Sequence, residues 1–143
     1  MRPTSFLVAA GLLTLVGCNR LHLYPVKGPR IEQGNADVIR VTASGLLFGT
    51  IRFTLPNGEA CVGPWSRVSK GQRLDDLAFG WDAVYGPGFY VARVLGSLQH
   101  GRAEVTGNQG SRFRLEFTQE TVEGSPLLGV AVDQDGNVYK LAQ

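Results

Sequence analysis

The stretch LLFGTIRFTLPNGEACVGPW, residues 46–65, decides the fold. From Leu47 to Leu55 its residues alternate: Ile51, Phe53 and Leu55 fall on one side, Thr50, Arg52 and Thr54 on the other. Successive side chains of a strand point to opposite faces, so this pattern is a strand with one face in a core. Pro56-Asn57-Gly58 interrupts it as a three-residue hairpin loop. Such a loop needs a left-handed residue at its last position, and Gly58 adopts that conformation without a Cβ clash. The loop sets the register: Leu55 faces Glu59, Phe53 faces Cys61, Ile51 faces Gly63 and Gly49 faces Trp65. Cys61 and Trp65 thereby join the apolar face, and Trp65 covers the bare backbone at Gly49.

The same device recurs downstream. Gly101 to Gly107 and Ser111 to Thr118 flank Asn108-Gln109-Gly110. Val105 then faces Phe113, Ala103 faces Leu115, and Phe117 continues the inner face; Arg102, Glu104, Arg112, Arg114 and Glu116 point outward. A third hairpin joins Leu127–Val132 to Asn137–Leu141 around Asp133-Gln134-Asp135-Gly136. A four-residue loop is expected, pairing Val130 with Tyr139 and Leu128 with Leu141, because a three-residue loop would set Lys140 opposite Val130. Val38 to Thr42 and Phe89 to Leu95 read as further strands. Between them, over 72–85, the spacing of Leu74, Leu77, Ala78 and Trp81 suits a short helix as well as it suits a long loop.

Short strands joined by short loops favour pairing between sequence neighbours. The fold class is therefore all-β, a small antiparallel barrel or sandwich of about seven to eight strands, with closure into a barrel preferred because it leaves no edge. The totals agree: 143 residues, 43% hydrophobic, 18% charged and 19 glycines describe one globular domain with many turns. A net charge of +2 with no basic block gives no sign of a nucleic-acid partner.

The N-terminus has a different composition. Arg2 precedes an apolar run from Phe6 to Val16, broken only by Thr14, which is too short to span a bilayer, for which ~20 residues are needed. Leu15-Val16-Gly17-Cys18 ends it, and Asn19-Arg20 follow. An aliphatic residue, a permissive one, a small one and Cys in that order resemble the bacterial lipobox, in which the thiol takes diacylglycerol and the new amino group is acylated, commonly with palmitate. The expected organisation is a lipoprotein signal peptide over 1–17, a lipidated Cys18 with a tether over 18–37, and an all-β domain over 38–143. The tether is rich in Pro, Gly and charge and would reach ~60 Å at ~3.3 Å per residue. Leu21–Val26 could lie along the domain as an edge, with Pro25 and Pro29 forbidding a central strand. Two acyl chains hold a protein stably to a membrane.

The stretch SGLLFGTIRFTLPNGEACVGPWSRV, with GNQGSRFRLEF and GVAVDQDGNVYKL after it, resembles small uncharacterised bacterial lipoproteins. The resemblance implies a cell-envelope location. Asn19 in place of Asp after the lipidated Cys implies the outer membrane, facing the periplasm. Such proteins often carry a second cysteine in a later strand, implying a bridge to the first; this chain has none there. No activity comes with the resemblance.

Candidate chemistry is sparse. Cys61, left without a partner if Cys18 carries lipid, reads as a small buried apolar residue, with a reactive thiol or an intermolecular bridge as the alternatives. His22 and His100 stand apart in sequence, and no Cys/His/Asp cluster has metal spacing. Glu59 reads as a solvated acid at a loop end, and Asp133–Gly136 as a hairpin turn rather than a calcium loop. No catalytic residue, cofactor or metal site is expected. Trp81, Tyr85, Phe89 and Tyr90 gather around Gly86-Pro87-Gly88 and are the one candidate binding surface; buried, they would close the barrel. Two roles follow: a non-catalytic interaction or structural module with an envelope protein as partner, or a small-ligand-binding barrel whose mouth lies near Trp81–Tyr90.

Overall fold

The computed structural model describes residues 19–45, 48–68, 75–97, 100–119 and 127–143. Cys18 and the leader read over 1–17 lie outside the described residues, as do Leu47 and Leu74. Among the described residues eight strands form a closed antiparallel barrel in chain order: β1 (Asn19–Lys27), β2 (Ile39–Gly45), β3 (Phe48–Thr54), β4 (Ala60–Arg67), β5 (His100–Gly107), β6 (Arg112–Gln119), β7 (Leu127–Asp133) and β8 (Val138–Ala142). A short helix α1 (Pro29–Glu32) follows β1, and α2 (Ala78–Tyr85) with a π-helical turn (Tyr90–Val94) lies between β4 and β5.

The first hairpin has the expected register, with Phe53 opposite Cys61, Ile51 opposite Gly63 and Gly49 opposite Trp65. Gly58 closes it at φ 87°. A Cβ at Gly49 would fall 2.7 Å from Trp65 Nε1, which itself donates to the Ser44 carbonyl at 2.7 Å. The indole therefore replaces the missing side chain and pins the neighbouring β2 backbone. The second hairpin also matches: Val105 faces Phe113, Ala103 faces Leu115, and the Trp65 and Phe117 rings meet edge to face at 5.4 Å. Leu21, Leu23, Val41, Ile51, Phe53, Val105, Phe113, Leu115, Tyr139 and Leu141 fill the barrel axis with buried side chains. An eight-stranded barrel is just wide enough for that.

Four expectations need correction. The segment read as a tether begins with β1, which pairs with β2 from Asn19↔Ala43 to Leu23↔Ile39 and with β8 on its other side. Leu21 and Leu23 supply the inward alternation that closes the ring. Pro25 is tolerated because the β2 ladder ends at Leu23 and the β8 ladder shifts register between Pro25 and Lys27, so its missing N–H falls at a bulge.

The third hairpin has the three-residue loop, not the four: Val132 pairs with Val138, Ala131 with Tyr139 and Val130 with Lys140. Asp133 N–H donates to the Asn137 carbonyl, and Gly136 sits at φ 84°. The four-residue loop is expected only because three residues set Lys140 opposite Val130, a pairing that is unfavourable on an uncovered outer face. Here that face is covered, so Val130 and Val132 are buried outside the barrel while Ala131 is buried inside.

Phe89–Leu95 is not a strand. Its backbone is captured by Asp82, whose carboxylate accepts from the Gly88 and Tyr90 N–H groups at 3.1 and 3.0 Å. Tyr90 and Val94 are buried four residues apart, a helical spacing, while Val91 is 70% exposed. Lastly, Glu59 is no solvated acid: it is buried, and its partners are described below.

Candidate functional site

The run Leu128-Gly129-Val130-Ala131-Val132 is apolar at every position, the mark of a strand buried on both faces. Its outer face needs a cover, and the excursion between β4 and β5 provides one. Leu77, Trp81, Tyr90 and Val94 pack against Val130, Val132 and Val138 as a second core outside the barrel. The four aromatics singled out in the sequence all lie in this cover. Trp81 and Tyr90 are buried, while Tyr85 and Phe89 are half-buried. Phe89 stacks on Tyr85 at 4.7 Å between ring centroids and on Trp81 at 6.0 Å. The Tyr85 hydroxyl donates to the Gly129 carbonyl and accepts from the Gly129 N–H, both at 3.1 Å, and burial pushes its pKa up. Lys140 Nζ stands 5.6 Å from the Tyr85 ring centroid. The aromatics thus clad the wall rather than plug the barrel mouth, and they leave a ledge of two stacked rings beside a cation.

The cover is fastened by charge. Glu116 points outward, as its register requires, yet it is fully buried. Its Oε1 accepts from Trp81 Nε1 at 2.6 Å; its Oε2 lies 3.0 Å from Arg102 Nε and 3.3 Å from His100 Nε2. Arg102 reaches on to Asp76 with Nη2 2.7 and 2.9 Å from the two carboxylate oxygens, and Arg114 joins Asp76 at 2.8 Å. Burial alone would raise the Asp76 pKa, but the Arg102 hydrogen bond and charge, with the charge of Arg114, hold it below the usual value. Two carboxylates facing two guanidinium groups neutralise one another, so the chain Trp81–Glu116–Arg102–Asp76–Arg114 works as a latch between the excursion and the β5–β6 wall.

Glu59 performs a similar task at the opposite end of the barrel. Its Oε1 accepts from the Gln109 and Ser111 N–H groups at 3.0 and 2.9 Å, and its Oε2 from Ser111 Oγ at 2.7 Å. The Ser111 side-chain and backbone hydrogen bonds lower its pKa. Next to it, Ala60 N–H donates to Asn108 Oδ1 and Asn108 N–H to the Ala60 carbonyl. The first two hairpin loops are therefore tied together. In the third, Asp133 accepts from the Asp135 and Asn137 N–H groups and from Asn137 Nδ2, and Asn137 Oδ1 accepts from Arg30 N–H. The carboxylate that superficially resembled a calcium ligand is used up by its own turn.

Cys61 is buried at 2% exposure, inward as expected, and has no disulfide partner among the described residues. His22 lies on the outer wall of β1, across from Arg40, and His100 on the outer wall of β5 beside Glu116. Among the described residues no group of three His, Cys, Asp or Glu could hold a metal ion, and no helix is long and apolar enough to cross a membrane. The sequence reading missed the Glu116 latch. Its available signal was the unbroken apolar run of β7, which demands a cover, together with a Trp in the excursion whose N–H needs a partner once buried. Neither the family models, nor the curated proteins, nor the solved structures contain a match to this chain.

Proposed function

We propose that this chain is a membrane-anchored bacterial envelope lipoprotein, held by lipid on Cys18, whose barrel is a non-catalytic interaction or structural module. The observation that carries the reading is the order Arg2, apolar run Phe6–Val16, Leu15-Val16-Gly17-Cys18, followed at once by the polar Asn19-Arg20. The resemblance to small bacterial lipoproteins supports the outer membrane as the location. A barrel axis occupied by Leu23, Ile51, Val105 and Leu115 supports a scaffold over a ligand container. The interlocked hairpin loops support the same role.

Cys18→Ser tests the anchor. The variant is expected to accumulate as a longer, unlipidated precursor that no longer partitions into detergent, read by intact mass and phase separation. Unchanged processing and partitioning would overturn the reading.

A second reading rests on the half-buried Tyr85–Phe89 stack beside Lys140, which suits a small planar or anionic ligand on the outside of the barrel. Pull-down from membranes separates the two: a stoichiometric protein partner supports the module, and a co-purifying small molecule released by Phe89→Ala supports the ledge.

A further inference from the structure

Charge is divided unevenly around the barrel. Strands β1–β4 carry Arg20, Lys27, Arg40, Arg52 and Arg67 and no Asp or Glu, whereas β5–β8 mix both signs. Arg20, Arg40 and Arg52 are exposed, and none pairs with an acid among the described residues, unlike Arg102 and Arg114, which Asp76 holds. The register aligns Arg20, Thr42 and Arg52 in one row across three strands. Two strand spacings separate the arginines by ~10 Å, so they form one basic face rather than isolated charges. Asn19 is level with Ala43 and Ile51, and β3 runs three residues further to Phe48. Phe48 therefore projects ~10 Å past Asn19, at ~3.3 Å per residue. It is 75% exposed, the most exposed large apolar side chain among the described residues.

We propose that the outer wall of β1–β4 lies on an anionic phospholipid headgroup layer, with Phe48 entering the layer at the leading edge. The proposal rests on the lipid-anchor reading above, which would hold the Asn19 end of the barrel at the membrane. Charge complementarity selects the occupant: an acid-free arginine face with an exposed aromatic at its margin matches the two terms of interfacial binding, attraction to anionic lipid and burial of an apolar tip. On the opposite wall, β5–β8, Arg102 and Arg114 are held by Glu116 and by Asp76 of the excursion; that wall then faces the periplasm, where it is open to a partner.

The test uses the full chain as cells produce it, with Phe48→Trp as reporter, added to vesicles of phosphatidylcholine alone or mixed with phosphatidylglycerol, each containing brominated lipid. Quenching of the introduced indole, over the unsubstituted chain as baseline, is expected on the anionic vesicles, weaker on the neutral ones, and reduced by salt. Neutralising the face with Arg20→Gln and Arg52→Gln is expected to weaken docking about thirtyfold. Arg20→Lys with Arg52→Lys retains it, and Arg112→Gln on the opposite wall changes nothing. Both target side chains are exposed, so folding is not at stake. Flotation with neutral vesicles reads the anchor separately. Equal quenching on both vesicle types, or no change on neutralisation, overturns the basic face whatever flotation gives. Flotation only with anionic vesicles, with quenching retained, overturns the anchor and supports the face.

Discussion

Cys61 illustrates how a single side chain is governed by its register. Three residues after Gly58 on the inward-facing row, it has its thiol among core residues with the Glu59 carbonyl 4.0 Å away. Burial first, and the Glu59 charge second, push its pKa from 9.0 up to about 11. At pH 7 the thiolate fraction is then roughly one in ten thousand, and thiolate is the reactive form. Native protein is expected to react with iodoacetamide about a hundredfold or more slower than urea-unfolded protein. Equal rates, followed by mass, would show an accessible thiol and refute the inward placement. The position of Cys61 was legible because Pro56-Asn57-Gly58 sets the count. The fate of Glu59 was not, since its partners Gln109 and Ser111 come from another hairpin about fifty residues on.

At the scale of the element, the excursion between β4 and β5 leans on the barrel wall that it covers. α2 spans only Ala78–Tyr85, and a helix that short is marginal without tertiary contacts. Its stability comes from the second core and from the Glu116 latch. Glu116→Ala leaves the buried Trp81 N–H without its acceptor, while Arg102, partly exposed, keeps Asp76; the expected loss is about 1–3 kcal/mol of unfolding free energy, the range for stranding one buried polar group. Urea unfolding with near-ultraviolet circular dichroism checks it: the Trp81 signal should weaken even where far-ultraviolet strand signal persists. An unchanged midpoint would show that the apolar contacts alone hold the cover. The same cover explains the third hairpin. With α2 over the wall, Val130 is stable facing outward, and Lys140 lies beside the Tyr85 ring. A one-residue slip would exchange the two faces of β8. Phe89–Leu95 misled for a related reason. Its β-branched and aromatic residues favour strands, but Asp82 and the burial of Tyr90 and Val94 outweigh propensity.

At the scale of the molecule, the two carboxylate fasteners give the barrel an acid limit. Asp76 and Glu59 have folded pKa values below their ordinary 3.8 and 4.5. A group whose pKa is lowered on folding contributes stability that is fully present above its unfolded value and is lost as the pH falls through its folded value. The urea midpoint is therefore expected to be level from about pH 7 to 5 and to fall below about pH 4. Asp76→Asn should remove part of that fall. A midpoint that stays flat or rises on acidification would rule out both carboxylates as fasteners.

The sequence by itself determined the all-β class, the first two hairpins with their registers, and the inward positions of Cys61, Trp65, Leu115 and Phe117. Each of these follows from period-two alternation and from a glycine-ended turn a few residues away, which are local constraints. Only the tertiary structure decided that Asn19–Lys27 is a strand, that the third loop has three residues, and that Glu116 is buried. Each of these depends on what covers a face or closes a ring, and the covering residues lie far off in the chain. Barrel closure joins β1 to β8, the longest sequence separation available, and no pattern within either strand names the other.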